Sequence, residues 1–337
     1  MKAIAYQISL PIEHPNSLQD IEIDDPLATG RDLLVEVRAV SVNPVDTKVR
    51  MRDTPPSGHW RILGWDAVGI VRAVGPEVTL FAPGDRVWYA GDITRQGTNA
   101  ELHLVDERLV GRMPETLDSA EAAALPLTSI TAWEMLFDRL GLTPGKKMTD
   151  QCLLIIGAGG GVGSIMTQLA RRLTGLTVIG TASRPETQEW VRKLGAHHVI
   201  DHTRPLSEEL RRIGIPLVSH IVSLTQTDLH YPEIVEVIAP QGKFGLIDDP
   251  TSIDITKLKG KSVSLHWELM FTRSKFRTAD MIAQHRILTE MAALVDDGLI
   301  RSTLVDAMAP INAHNLKRAH ALIESGKSRG KIVLSGF

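Results

Sequence analysis

Residues 1–120 alternate apolar and polar positions over short stretches, which is typical of half-buried β-strands. The clearest stretch is 32–42 (DLLVEVRAVSV), and a second strand is predicted at 65–74 (WDAVGIVRAV). Turn residues such as Pro83-Gly84-Asp85 separate these stretches. Many short strands at close spacing predict a compact, barrel-like β domain.

From residue 118 onwards, apolar runs of strand length alternate with amphipathic stretches of helix length. Strands are predicted at 152–156, 177–181, 198–201, 217–224 and 242–247, and helices at 162–173, 185–194, 207–213 and 231–238. This alternation predicts βαβ units and a parallel sheet with helices on both faces. After residue 275, amphipathic helices are predicted at 279–297 and 311–325, and a final strand at 331–334.

Composition narrows the class of protein. The 337 residues carry 37 basic and 40 acidic side chains, so nothing in the charge favours nucleic acid or an anionic membrane as a partner. The single cysteine forms no intramolecular disulfide and excludes a multi-cysteine zinc site. The N-terminus does not resemble a secretory signal, and no apolar run reaches the roughly 18 residues of a membrane span. We therefore expect a cytoplasmic protein.

A glycine-rich turn at 157–163 (GAGGGVG) follows an apolar strand and precedes a helix. Glycines allow a tight turn and close approach of a diphosphate, and the helix presents free N–H groups to that anion. Aligned on Gly159-x-Gly161, the third glycine of the dinucleotide pattern is replaced by Ser164. A turn that binds nothing is the alternative, but the context favours dinucleotide binding. The predicted contacts are Gly157, Gly159, Gly160, Gly161 and Val162.

The end of the second strand predicts which dinucleotide is bound. NAD sites usually carry an acidic residue there, whereas this strand leads into Ser183 and Arg184. A serine hydroxyl and a guanidinium both bind a 2′-phosphate, so NADP(H) is favoured over NAD(H). The alternative for Arg184 is a solvated loop arginine. Leu224, Thr225 and Ile247 lie at the carboxyl ends of later strands, where such sheets bind ligands, and are expected at the nicotinamide end.

Several motifs occur in a characteristic order along nearly the whole chain, at 41–46 (SVNPVD), 63–69 (LGWDAVG), 83–87, 123–126, 157–163 and 324–334. Together they resemble the medium-chain dehydrogenase/reductase superfamily, in particular its zinc-free quinone-oxidoreductase branch. The resemblance implies an α/β protein with a GroES-like β-rich catalytic domain (1–122 and 275–337). It also implies a doubly wound Rossmann NADP(H)-binding domain (123–274) and an active site in the cleft between them. Dimers are common in this branch, so a homodimer is expected.

The resemblance also indicates where a catalytic zinc would be bound. The zinc enzymes of the superfamily have a cysteine at the position of Asn43 and a histidine at that of Trp65. Since an amide and an indole are not zinc ligands, no metal is expected. His197 and His198 point to opposite faces of a strand and are poor joint ligands. His202 falls where relatives place a residue beside the adenine ribose phosphate, and it is expected to contact NADPH.

Without zinc there is no Lewis acid, which favours hydride transfer from NADPH to a quinone or an α,β-unsaturated carbonyl. Asn43 is a candidate hydrogen-bond donor to substrate or nicotinamide ribose, or else a turn asparagine. Asp46 is a candidate catalytic carboxylate, or else structural. Thr131 resembles the family threonine near the nicotinamide, or else it is a helix-interior threonine bonded to its own backbone.

Three aromatic residues are assigned to the substrate pocket. Trp65 is expected to form an apolar wall, and Trp267 and Phe271 belong to an apolar segment that caps the pocket or pairs across a dimer. Two other functions stay open at this point. One is a zinc-type alcohol dehydrogenase, and the other is an NADPH-binding protein with little catalysis.

Overall fold

The chain folds as two units in the computed structural model, which describes residues 1–145 and 150–337. Unit 1 consists of Met1–Ile130 and Phe271–Phe337, and unit 2 of Thr131–Met270. The predicted α/β class is confirmed, with the β-rich part in unit 1 and the parallel sheet in unit 2. Among the described residues, no helix is both long and apolar enough to cross a bilayer.

The strands are β1 (Lys2–Tyr6), β2 (Gln19–Glu22), β3 (Asp32–Val42), β4 (Arg61–Ile62), β5 (Ala67–Val74), β6 (Arg86–Tyr89), β7 (Leu102–Asp106), β8 (Val110–Arg112), β9 (Cys152–Ile156), β10 (Thr177–Thr181), β11 (His198–Ile200), β12 (Val218–Ser223), β13 (Ile238–Leu246), β14 (Ser264–Trp267), β15 (Leu304–Met308) and β16 (Lys331–Ser335). The α-helices are α1 (Pro44–Arg52), α2 (Ser119–Ala123), α3 (Pro126–Trp133), α4 (Gly161–Leu173), α5 (Pro185–Lys193), α6 (Leu206–Arg212), α7 (Thr227–Val237), α8 (Thr272–Lys275), α9 (Ala283–Asp296) and α10 (Ala313–Glu324). Two 3₁₀ helices (Glu107–Leu109 and Ile255–Lys261) and a π-helix (Glu134–Arg139) complete the described elements.

Unit 1 is built on a seven-stranded sheet in the order β15-β16-β3-β5-β6-β8, with β7 also paired to β3. A smaller sheet has the order β2-β1-β4. The long strand β3 alternates buried and half-buried residues in its first half, as its apolar and polar pattern predicts, and becomes fully buried near its end. The last strand, β16, pairs with that buried half of β3, so the C-terminal segment is part of the first sheet.

Unit 2 contains a six-stranded sheet in the order β11-β10-β9-β12-β13-β14, and every neighbouring pair is parallel. Counted along the chain, this is the order 3-2-1-4-5-6 of the Rossmann fold. The interior strands are almost entirely buried, as expected for a parallel sheet covered on both faces. The direction of winding reverses between β9 and β12, and ligands of such sheets bind at the carboxyl ends of those two strands.

The sequence prediction is wrong at several boundaries. The predicted helices at 231–238 and 279–297 are α7, which begins at Thr227, and α9, which begins at Ala283. Helix α1 lies in a region predicted to be strands and turns. Its start is marked by Asn43 and Asp46, because the Asp46 carboxylate accepts the Asn43 backbone N–H at 2.7 Å, as in a capping box. Strand β15 and the π-helix were not predicted.

Candidate active site

The glycine turn joins β9 to α4 in unit 2. Gly157 has a φ of +86°, a conformation that glycine adopts without a steric penalty, and its N–H donates to the Thr181 hydroxyl at 3.1 Å. Gly160 is the N-cap of α4. The first N–H groups of a helix have no carbonyl partner within it and form its positive end. The turn therefore presents a site for an anion such as a diphosphate.

The glycines of the turn differ in how much space is available for a side chain. A Cβ on Gly163 would lie 2.4 Å from the Gly157 carbonyl oxygen, so only glycine lets α4 pack on the turn. A Cβ on Gly159 would lie 2.2 Å from Thr187 Cγ2. A Cβ on Gly160 would meet nothing nearer than 3.6 Å, an ordinary contact. Packing within the protein therefore does not require glycine at 160, whereas a ligand that approaches the backbone there does.

Gly163 belongs to the predicted glycine-rich turn, but its packing role was not predicted. The alignment on Gly159-x-Gly161 leaves the third position to Ser164, but the residue that packs the helix closely onto the turn is Gly163. The signal was present as a spacing of three residues, Gly157-Gly160-Gly163. The Thr187 hydroxyl, beside Gly159, is buried without a hydrogen-bond partner among the described residues.

The loops after β12 and β13 lie at the same edge of the sheet as the glycine turn. A Cβ on Gly157 would come within 3.0 Å of Thr225 and 3.5 Å of Leu224. The Ile247 N–H donates to the Ser223 carbonyl at 3.3 Å. The structure thus brings Leu224 and Thr225 against the turn, with Ile247 directly after the adjacent strand β13.

A series of hydrogen bonds among three side chains connects these two loops. The Asp248 carboxylate accepts the Thr227 N–H at 2.9 Å and the Thr227 hydroxyl at 2.5 Å. The Thr227 and Ser223 hydroxyls are 2.7 Å apart, and both residues are fully buried. These hydrogen bonds fix the start of α7 relative to the end of β13. The sequence analysis did not predict them.

The residues predicted to bind a 2′-phosphate follow β10. Ser183 is half-buried, and Arg184 is the N-cap of α5. Arg184 Nε lies 3.5 Å from a carboxylate oxygen of Glu186, and both side chains are largely exposed. An exposed ion pair of this kind contributes little stability, so a phosphate can compete for the guanidinium.

The predicted histidine contact lies after β11. His202 packs edge-on against His230 with the ring centroids 6.0 Å apart, and its buried Nδ1 has no hydrogen-bond partner within 1–145 and 150–337. Burial lowers the pKa of His202, and the nearby Asp201 carboxylate opposes that shift.

His197, considered as a metal ligand, already has a hydrogen-bond partner, since its Nδ1 accepts the Val178 N–H at 2.9 Å. In the described parts of the chain, no group of three or more His, Cys, Asp or Glu residues is arranged to hold a metal.

A buried polar network surrounds Asn43 in unit 1. Asn43 Nδ2 donates to Asp66 Oδ2 at 2.8 Å, and the ammonium of Lys331 donates to the same oxygen at 2.9 Å and to Asn43 Oδ1. The other Asp66 oxygen accepts the Leu127 N–H at 2.7 Å. Burial raises the pKa of Asp66, while Lys331, Leu127 and Asn43 oppose the shift. Lys331 and Asp66 were quoted only as family marks, because nothing local in the sequence links them.

This network bears on the donor role predicted for Asn43. The second Nδ2 hydrogen points to the Ser41 carbonyl at 3.4 Å, so both amide hydrogens have partners inside the protein. In this geometry the amide has no N–H left for a substrate, and the structure places Asn43 as a link between Lys331, Asp66 and the start of α1.

Asp46 is also buried, and its position is that of a helix-capping residue. Burial raises the pKa of Asp46 to about 7, although its hydrogen bonds from the backbone of Asn43 and Gly64 and the charge of Lys331 act in the opposite direction. The geometry therefore supports the structural alternative for Asp46.

The three predicted pocket residues are divided between the two units. Trp65 and Phe271 pack edge to face in unit 1 with ring centroids 6.0 Å apart, and both are buried. The Trp65 indole N–H points to the Asp92 carbonyl at 3.4 Å. Trp267 ends β14 in unit 2 and is 53% exposed. β14 is the last strand of its sheet, so a strand of a partner could pair with its outer edge. The alternative of pairing across a dimer stays a prediction.

Thr131 lies on α3, the helix whose N-terminus receives the Asp66 carboxylate. The Leu127 N–H that binds Asp66 is in the first turn of this helix, and Thr131 follows one turn later as a buried residue. The predicted contact of Thr131 with a nicotinamide stays a prediction.

Comparison with known proteins places the chain in a family of dehydrogenases and related oxidoreductases. Residues 29–115 match the family model of the alcohol dehydrogenase GroES-like domain, and residues 194–334 match that of the zinc-binding dehydrogenases. A zinc-type alcohol dehydrogenase-like protein of Staphylococcus aureus (strain MSSA476) is 40% identical over 99% of this chain and 100% of its own length. A mitochondrial NAD(P)H oxidoreductase of Homo sapiens is 28% identical over 90% of this chain and 81% of its own length.

Solved structures agree with this placement. A Rhizobium etli CFN 42 protein that carries the name of a zinc-dependent alcohol dehydrogenase superposes with a TM-score of 0.96 at 58% identity, covering 100% of this chain and 98% of that one. The Escherichia coli quinone oxidoreductase in complex with NADPH shares the fold, with a TM-score of 0.83 at 24% identity over 99% of this chain and 100% of its own. The chain therefore belongs to the medium-chain dehydrogenase/reductase superfamily of oxidoreductases, together with the zinc-type alcohol dehydrogenase-like proteins.

Proposed function

We propose that the protein is a zinc-independent, NADPH-dependent reductase that transfers a hydride to a quinone or an α,β-unsaturated carbonyl. The observation that carries this proposal is the glycine turn at the winding reversal of a 3-2-1-4-5-6 sheet, with Ser183 and Arg184 rather than a carboxylate after the second strand. The names of two relatives point the same way, since one is an NAD(P)H oxidoreductase and the other a quinone oxidoreductase in complex with NADPH.

The residues described above fit NADPH. When bound, the cofactor supplies the hydride. The N–H groups at the start of α4, beside the open backbone of Gly160, would hold the diphosphate. Ser183 and Arg184 would hold the 2′-phosphate, and His202 would lie beside it. Leu224, Thr225 and Ile247 would orient the nicotinamide end from the neighbouring strands.

The residues at the positions expected for zinc ligands do not fit a metal, although relatives carry zinc in their names. Asn43 Oδ1 already accepts a hydrogen bond from the Lys331 ammonium, whose positive charge would repel a second cation. Trp65 offers only an indole N–H, which is a donor and not a ligand. We therefore propose a reaction in which no metal polarises the substrate. Quinones and enones suit such a site because their reduction delocalises the negative charge.

This proposal is tested on the purified protein with NADPH, a panel of quinones, enones and simple ketones, and metal analysis of the same sample. We expect NADPH oxidation with quinones or enones and less than one zinc per chain. One zinc per chain together with alcohol oxidation would favour the zinc-type alcohol dehydrogenase. Tight NADPH binding without turnover of any acceptor would favour a cofactor-binding protein with little catalysis.

Replacing Arg184 by glutamate is expected to lower the preference for NADPH over NADH at least tenfold. A hydrogen bond to a charged group contributes about 1.5–3 kcal/mol, and about 1.4 kcal/mol corresponds to a factor of ten. The glutamate would also repel the 2′-phosphate. Dissociation constants for both cofactors can be followed by tryptophan fluorescence, because the Trp190 indole donates to Ser164 at 2.8 Å, directly after the glycine turn.

The matched control is Arg192→Glu. Arg192 is an exposed residue of the same helix, α5, and it donates to the half-buried Gln188 at 3.3 Å. Both variants change the charge by the same amount, so a long-range charge effect would alter the two equally. An equal change in cofactor preference, or none for Arg184→Glu, would remove Arg184 from the 2′-phosphate site.

A further inference from the structure

The side chain of Lys331 is buried in unit 1, with only 3% of the residue exposed. Its ammonium is bound by three oxygen atoms, which are the Val42 carbonyl at 3.2 Å, Asp66 Oδ2 at 2.9 Å and Asn43 Oδ1. A buried lysine is rare and is tolerated when it is paired and hydrogen-bonded. Val42 is the last residue of β3, Asn43 is the N-cap of α1, and Asp66 directly precedes β5.

We propose that Lys331 is a positioning residue of the oxidoreductase, which holds the first turn of α3 through Asp66 and the start of α1 through Asn43. For its activity readout this inference rests on the proposed function. Lys331 touches neither substrate nor cofactor in this proposal, and it acts only through its two neighbours.

The contact to Asp66 controls the start of α3. Lys331 and Asn43 both bind Asp66 Oδ2, which leaves Oδ1 directed at the Leu127 N–H. A carboxylate there also interacts favourably with the positive end of the helix. Without the ammonium, Asp66 would be a buried charge lacking its counter-ion, which is strongly unfavourable. Protonation or displacement of the carboxylate would then weaken its bond to Leu127, one turn before Thr131.

The contact to Asn43 determines which way the amide points. An ammonium group only donates hydrogen bonds, so the Asn43 oxygen must face Lys331 and the nitrogen must face Asp66. The same residue's backbone N–H is held by Asp46 at the start of α1. The orientation of this asparagine is therefore a consequence of the charge on Lys331.

The competing explanation is that Lys331 only adds stability by joining β16 to β3. Arg50 provides a matched comparison, because it is a second fully buried cation of unit 1. Its guanidinium donates to the Leu10 carbonyl at 2.5 Å and to the Glu324 carboxylate, without contact to the Lys331 network. Arg50→Met therefore removes a buried cation and its ion pair with the exposed Glu324, without releasing Asp66.

The test compares Lys331→Met with Arg50→Met in the full chain. Amide hydrogen exchange of the segment 126–133 reports on the start of α3, and steady-state kinetics with NADPH and a quinone report on the reaction. We expect Lys331→Met to speed exchange of the Leu127 amide at least tenfold and to lower kcat at least tenfold. Its dissociation constant for NADPH should stay within twofold of the parent. Arg50→Met should lose thermal stability but keep both the Leu127 protection and kcat within twofold.

Unchanged Leu127 protection and kcat in Lys331→Met would overturn the inference. Equal losses in Arg50→Met at the same folded fraction would also overturn it, because general destabilisation would then explain the effect. If Lys331→Met does not fold, Lys331→Gln replaces it under the same criteria, since it keeps an N–H donor and removes the charge. A parent protein that binds no NADPH would count against the proposed function, while hydrogen exchange would still decide the role of Lys331.

Discussion

Replacing Gly163 by alanine is expected to weaken NADPH binding at least a hundredfold. The new Cβ would lie 2.4 Å from the Gly157 carbonyl oxygen and 2.6 Å from Ala158 Cα, and backbone atoms cannot rotate away as a side chain can. The glycine turn would have to separate from α4, which misdirects the N–H groups that hold the diphosphate. Loss of two hydrogen bonds to a charged group, at about 1.5–3 kcal/mol each, exceeds a hundredfold. Fluorescence titration with NADPH measures the effect.

Gly160→Ala separates ligand binding from folding. Its Cβ would meet only the Gly157 oxygen at 3.6 Å, so the protein should keep its thermal stability nearly unchanged. NADPH binding should nevertheless fall about tenfold, roughly 1.4 kcal/mol, because the methyl group occupies the approach to the backbone. Gly260→Ala is the control, since no atom lies within 4 Å of its Cβ position in the same unit. Parent-like NADPH binding by both Gly163→Ala and Gly160→Ala would mean that the cofactor binds elsewhere.

The elements of unit 2 were predictable because their determinants are local. Strand β9 is an unbroken apolar run, and the glycine turn and α4 follow it directly in the sequence. The strand order follows from the alternation of strands and helices together with the known winding of such sheets. The start of α7 was less predictable, because its first turn lacks an apolar period that distinguishes helix from loop. In unit 1, the predicted helix at 279–297 begins four residues before α9.

The network in unit 1 was not predictable, because its members are far apart in the sequence. Asn43, Asp66 and Lys331 are joined only when β3, β5 and β16 become neighbours in one sheet. Taken alone, Asn43 has the sequence context of a turn or N-cap residue, and Lys331 that of a charged residue at a strand end. The donor role predicted for Asn43 came from its residue type and its position in the family pattern, and the buried ammonium beside it redirects the amide. Proximity through the sheet, not the local pattern, determines the chemistry of this asparagine.

Stability is expected to decline as the pH falls below about 6.5, largely because of histidines that are buried as neutral rings. Burial, assisted by the nearby Arg50 guanidinium, lowers the pKa of His320 to about 3, and burial lowers that of His103 to about 4. Unfolded chains take up these protons near pH 6.5, whereas the folded protein does not. Above that pH, histidine protonation does not lower the free energy of unfolding. Below it, each of these histidines lowers the free energy of unfolding by about 1.4 kcal/mol per pH unit.

His320→Leu is expected to reduce the slope of the free energy of unfolding against pH between pH 6 and 4.5. The reduction corresponds to about one proton, or about 1.4 kcal/mol per pH unit. Neither ring nitrogen of His320 has a hydrogen-bond partner among the described residues, so the variant should also gain about 1 kcal/mol of unfolding free energy at pH 7. Urea unfolding followed by circular dichroism across this pH range provides the measurement. His314→Leu is the control, because His314 lies on the same helix, α10, but is exposed. A slope identical to that of the parent would mean that the His320 ring titrates in the folded protein as it does in the unfolded chain.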